Sequence, residues 1–200
     1  MSARITAIIL TLMSTVAAAA CPEGYSEACV GDNCYCVPDA ATIQRALPPP
    51  LQDAAEQVAG AALKNLILAS RNDAIREGVQ PMPPAIRKDL LGFYPAELLD
   101  HVRYRVGGGN DLSLQSNALR YGDAAAVTLD DVVVFANQAD AQGNSVLWAH
   151  EMKHVQQVSE WGLAGFAERY ARDYKAVEGP AYAAQDQFAK WRAARNQAQH

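Results

Sequence analysis

Two hundred residues, half of them apolar, supply one sizeable core and too little chain for several. The formal net charge is −5, and the 17 basic residues form no block or stripe, which argues against nucleic acid or an anionic membrane surface as a partner.

The first 20 residues, "MSARITAIILTLMSTVAAAA", combine one arginine, a short apolar run and small residues suited to cleavage, and read as an export signal. Their strongly apolar part falls short of the roughly 20 residues that span a bilayer, and no later segment reaches that length, so no membrane span is expected. Removal of Arg4 with the signal leaves 16 basic against 22 acidic residues, a net charge of −6. The expected destination is the periplasm or the cell exterior, where oxidation favours disulfides among Cys21, Cys29, Cys34 and Cys36. An extended C-x-C turns its two Cβ atoms to opposite sides, so Cys34 and Cys36 are each expected to pair with Cys21 or Cys29. A lipidated Cys21 is the weaker alternative, because the leucine usual in lipoprotein signals is missing from this run.

Residues 21–50 then form a disulfide-tied segment closed by the stiff spacer "LPPP". A helical region is expected over 51–84, with Leu51, Ala55, Val58, Ala62, Leu66 and Ala69 at three- and four-residue steps. Gly78 and "QPMPP" end its long helix, and "PAIRKDLL" and "PAELLDHV" read as two shorter ones. "VRYRV" (102–106) and "AVTLDDVVVF" (126–135) are β-branched and aromatic and read as strands. The loop between them contains a triple glycine, but no "GK[ST]" follows it and no βαβ rhythm surrounds it, so it is not a phosphate cradle. Ser145 is the expected N-cap of the helix "VLWAHEMKHVQQVSEW", and Gly162 its end. "LAGFAERYARDYKAV" follows as a second helix, and Pro180 suits the first turn of a third.

The chemistry concentrates in "HEMKH". In a helix, residues four apart share a face, so His150 and His154 aim two imidazoles at one point, as a zinc site requires. Glu151, beside the first imidazole, is placed to take a proton from water activated by the metal. A third ligand is needed. His101 is a lone upstream residue, and His200 is terminal. Glu160 still belongs to the same helix, while Glu168 and Asp173 read as solvated helix-face charges, with Asp173 in reserve. Glu178, two helical segments on, is the expected third ligand. Tyr182, four residues after it, is the expected donor to a developing oxyanion, with packing of the helix pair as the plain alternative for Tyr182 and Tyr174. Lys153 points away from the ligands and is expected in solvent. These residues lead to the expectation of an exported zinc-dependent hydrolase acting on a peptide or protein. The alternative is a catalytically silent binding or structural module.

"VRYRVG", "AVTLDDVVVF", "LWAHEMKHVQQ" and "EGPAY", in that order over roughly residues 85–188, resemble the metallopeptidase-like core domain of bacterial extracellular contractile injection systems. The resemblance implies an α+β, mainly helical, minimal zincin-like domain of the gluzincin type over 85–200. A small β-sheet or hairpin would lead into the active-site helix, with two further helices behind it. It also implies His150, His154 and a glutamate matching Glu178 as ligands, and Glu151 as base. Two residues depart from the family pattern: Pro180 stands where a second glutamate is frequent, and Lys153 where a small or hydroxyl residue is common.

Overall fold

The computed structural model describes residues 21–23, 25–30, 33–38, 42, 48–107 and 125–198. The expected signal at 1–20, the loop over 108–124 and His200 lie outside them. The chain divides into two units, Met1–Gln52 and Asp53–His200.

In the first unit, β1 (Tyr25–Val30) and β2 (Asn33–Pro38) pair antiparallel, with Cys29 opposite Cys34 in the backbone register. Cys36 is bonded to Cys21, one of the two partners open to it.

The second unit is an α+β, mainly helical fold. Helix α1 (Pro49–Glu77) leads into it, followed by β3 (Gln80–Pro81), α2 (Pro84–Leu90), α3 (Ala96–His101) and β4 (Arg103–Val106). The rest comprises β5 (Ala126–Leu129), β6 (Val132–Phe135), α4 (Gln138–Gly143), α5 (Ser145–Arg172) and α6 (Tyr174–Gln197). The sheet order is β3-β4-β6-β5, with β4 parallel to β6 and the other pairs antiparallel. The run "AVTLDDVVVF" is thus a hairpin, turning at Asp130 and Asp131, where Asp130 takes the left-handed conformation (φ 64°) that a short polar side chain tolerates. Successive side chains of a strand face opposite ways, so central β6 feeds two cores. Val133 and Phe135 enter one with Leu90, Leu99, Trp148 and Phe188, while Val132 and Val134 enter the other with Ile67, Leu129, Phe166 and Val177.

Helix α5 is seated by Trp148, fully buried, whose indole Nε1 donates to the Ala141 carbonyl at 2.7 Å. The helical path breaks at Gly162 (φ 69°, ψ 157°), where a residue without Cβ turns the chain before helix resumes. Asp173 ends it and caps α6 by accepting from the Ala176 N–H at 3.2 Å. Gln157 then meets Val177 while Ser145 meets Arg192, so α5 and α6 run as an antiparallel hairpin.

Three local expectations change. The N-cap of α5 is Asn144, accepting from the Leu147 N–H at 3.0 Å, whereas the Ser145 hydroxyl is buried between Asp89 and Arg192. Pro180 lies inside α6 and not in its first turn, because the Asp173 cap starts that helix six residues before the proline. On α1, the apolar positions Leu51, Ala55, Val58, Ala62, Leu66 and Ala69 are exposed; the covered face is Gly60, Ile67, Ser70 and Ala74, with half-buried Leu63 beside them. Close approach selects that face: a Cβ on Gly60 would lie 2.9 Å from the Cα of Glu168 on α5.

Candidate metal centre

His150 and His154 are both buried on the face of α5 that looks toward α6, and Glu178 comes to them from the second turn of α6. The His150 and His154 Nε2 atoms are 3.2 Å apart, and Glu178 Oε2 lies 3.2 Å from the first and 3.4 Å from the second. Three donor atoms therefore form a nearly equilateral triangle. Zinc bonds of roughly 2.0–2.2 Å to nitrogen and oxygen, arranged as a tetrahedron, give ligand-to-ligand edges of about 3.3–3.6 Å. The triangle matches one face of such a tetrahedron, and all three donors line the cleft. Among the described residues, these three form the group of His, Cys, Asp and Glu side chains able to hold a metal ion together.

The surrounding groups prepare each donor. The Gln157 Nε2 donates to the Val177 carbonyl at 2.9 Å, an atom that can only accept, so Gln157 Oε1 is the end facing His154 Nδ1, also at 2.9 Å. That carbonyl oxygen can only accept in turn. The Nδ1 of His154 thus carries the proton, and in the neutral ring Nε2 presents its lone pair to the metal position. On Glu178, the Tyr170 hydroxyl donates to Oε1 at 2.9 Å, leaving Oε2 to face the imidazoles. Burial opposes the charge on Glu178, but the hydrogen bonds from His150 and His154 overcome it and hold the carboxyl well below its usual range. Burial likewise opposes charge on His154, yet the Glu178 carboxylate and the charge of Glu151 raise its pKa. Both shifts have one cause, the negative charge of Glu178 set against the two imidazoles, and the three donors together favour a positive charge between them. Burial and the neighbouring Glu178 push Tyr170 up, keeping it a neutral donor. His150 Nδ1 is buried with no hydrogen-bond partner.

Glu151, 4% exposed, faces the same cleft, and its Oε2 accepts from the Thr128 hydroxyl of β5 at 2.7 Å. The cleft holds about 610 Å³ between α1, β5, α5 and α6. Tyr182 stands on its rim, ring edge to His150 with centroids 4.7 Å apart, and is more than half exposed. Tyr174, also exposed, lines the cleft four residues before Glu178.

Residues considered and set aside fall elsewhere. Asp173 is the α6 cap, Glu160 and Glu168 are exposed, and His101 is exposed near Asp131. Lys153 is half-buried and donates to Gln156, which corrects its expected place in solvent. Gln157, Tyr170 and Thr128 escaped the sequence reading. A polar amide one turn after the second histidine was a signal for Gln157; nothing local marked the other two.

Residues 81–162 match the eCIS core domain family. The match runs from the end of β3 through the histidine-bearing part of α5 to its break at Gly162, and Glu178 lies beyond it. No curated protein and no solved structure matches the chain.

Proposed function

We propose that this protein is an exported zinc-dependent hydrolase, a metallopeptidase, with His150, His154 and Glu178 as ligands and Glu151 as general base. The observation that carries the reading is the triangle of donors at 3.2–3.4 Å beside a glutamate of the same helix turn. Bound zinc supplies positive charge that polarises a carbonyl and acidifies water. The Thr128 hydroxyl occupies one oxygen of Glu151 and leaves the other to receive a proton from the attacking water. Tyr182, on the rim beside His150, is the candidate donor to the oxyanion.

The sheet edge favours a peptide as substrate. Ala136 N–H donates to the Ala125 carbonyl, so in the antiparallel register residues 125, 127 and 129 turn their main-chain groups to β6. Ala126 and Thr128 turn theirs outward, along an edge with no other strand among the described residues. An extended chain can pair there, as strand addition requires. The Cys21–Cys36 disulfide suits an oxidising destination.

The family match favours one other reading, a catalytically silent module of a secretion system that keeps the metal for its fold. Metal analysis and Glu151→Gln separate the two. The hydrolase reading expects one zinc per chain in both proteins and loss of peptide hydrolysis in the variant. Loss of zinc from His150→Ala is expected under either reading, and a wild type that takes up no zinc refutes both.

A further inference from the structure

The cleft beside the metal position is walled by groups from outside the matched segment. Helix α1 contributes Leu63 and Ile67, and the chain beyond the Gly162 break contributes Phe166 and Tyr170. The approach of Gly60 to Glu168 holds α1 against that part of α5, and Leu63 and Ile67 follow Gly60 at i+3 and i+7 on the same face. Ile67 shares a core with Phe166, and Leu63 packs on it from the cleft side. The wall reaches the metal position directly: the Phe166 ring lies 6.0 Å from that of His154, and Tyr170 bonds Glu178. The charged side chains lining this cleft, among the described residues, are the carboxylates Glu151 and Glu178.

From this placement we infer that α1 forms a side-chain-recognising subsite, so that the enzyme takes peptides with a large apolar side chain next to the reacting carbonyl and disfavours acidic ones. The inference rests on the hydrolase reading above and names the substrate class of that site. An apolar side chain is desolvated against Leu63 and Phe166, whereas a carboxylate there loses water and finds no lysine or arginine among the described residues of this lining to receive it.

Binding of zinc-chelating hydroxamates tests this without turnover. Compounds with a glycine, phenylalanine or glutamate side chain on either side of the chelating group are titrated calorimetrically into the full mature chain loaded with zinc. The phenylalanine compound on one side is expected to bind at least about tenfold more tightly than glycine, and glutamate more weakly than glycine. Leu63→Lys is expected to erase the phenylalanine preference and strengthen glutamate binding. Leu63→Thr, a milder change at this half-buried position, is expected to reduce the preference alone. A zinc-loaded protein that binds glycine and phenylalanine compounds equally overturns the inference and leaves the hydrolase reading standing. A preference unchanged in both variants overturns the role of α1. Failure of the wild type to take up zinc removes both readings.

Discussion

For the proposed zinc site, replacing Gln157 with leucine isolates what the amide does for the metal. Gln157 is 1% exposed and bridges His154 Nδ1 to the Val177 carbonyl through two contacts of 2.9 Å. Leucine fills nearly the same volume, so the loss is of hydrogen bonds and not of packing. The Val177 carbonyl, inside α6, keeps the helical N–H of Ala181 and loses its second donor, at a cost of about 0.5–1.5 kcal/mol to the metal-free fold. His154 loses the acceptor that selects its tautomer, and loss of a hydrogen bond that orients a metal-binding imidazole lowers metal affinity about 10–100-fold. At free zinc a thousandfold above the wild-type Kd, the metal stabilises the wild type by about 4.1 kcal/mol; a hundredfold weaker site retains about 1.4 kcal/mol under the same conditions. Competition with a chromophoric chelator at fixed pH reads the affinity, and thermal unfolding with and without chelator reads the stability. Gln157→Glu is the control: it keeps an acceptor for Nδ1 but gives Val177 nothing, so zinc affinity should survive while metal-free stability falls. Zinc affinity in Gln157→Leu within twofold of wild type would show that the bridge does not orient the ligand.

Two further outcomes follow from the packing around the site. Asp131 accepts both contacts of a forked Arg71 guanidinium; burial opposes its charge, but Arg71 prevails and the folded carboxyl titrates below its ordinary value. Its stabilisation is therefore present above the unfolded pKa of about 3.9 and is lost as pH falls through the lower folded value. Asp131→Asn should cost up to about 1 kcal/mol at pH 7, with the gap to wild type closing in acid; a pH-independent gap in urea midpoints refutes the pairing. Gly60→Ala should lower the melting temperature, because its Cβ meets the Glu168 backbone at 2.9 Å. Gly143→Ala, in the last turn of α4 with nothing within 4 Å of the added Cβ, should raise stability by up to about 1 kcal/mol. Equal gains from both alanines would mean that α1 does not approach α5 at Gly60.

Local spacing carried a good deal of this protein. A spacing of four from His150 to His154 places both imidazoles on one helix face whatever the rest of the chain does, and the β-branched runs at 103–106 and 126–135 mark the sheet. The order helix, small sheet, histidine-bearing helix, returning helix was legible for the same reason, since period and punctuation are properties of neighbouring residues. Which glutamate returns to the histidines is not such a property. It follows from a break at Gly162 and a reversal at Asp173, whose backbone angles set where α6 begins and therefore that Glu178, and not Asp173, faces α5. The same holds for α1, where apolar periodicity pointed to a face that lies in solvent, while close contact at a glycine chose another. Tyr170 and Thr128 gain their roles only through partners 8 and 23 residues away, and the amide of Gln157, three residues from His154, is oriented by a carbonyl 20 residues away. Side-chain periodicity tells which residues travel together around an element; only the packing of one element on another decides what that face meets.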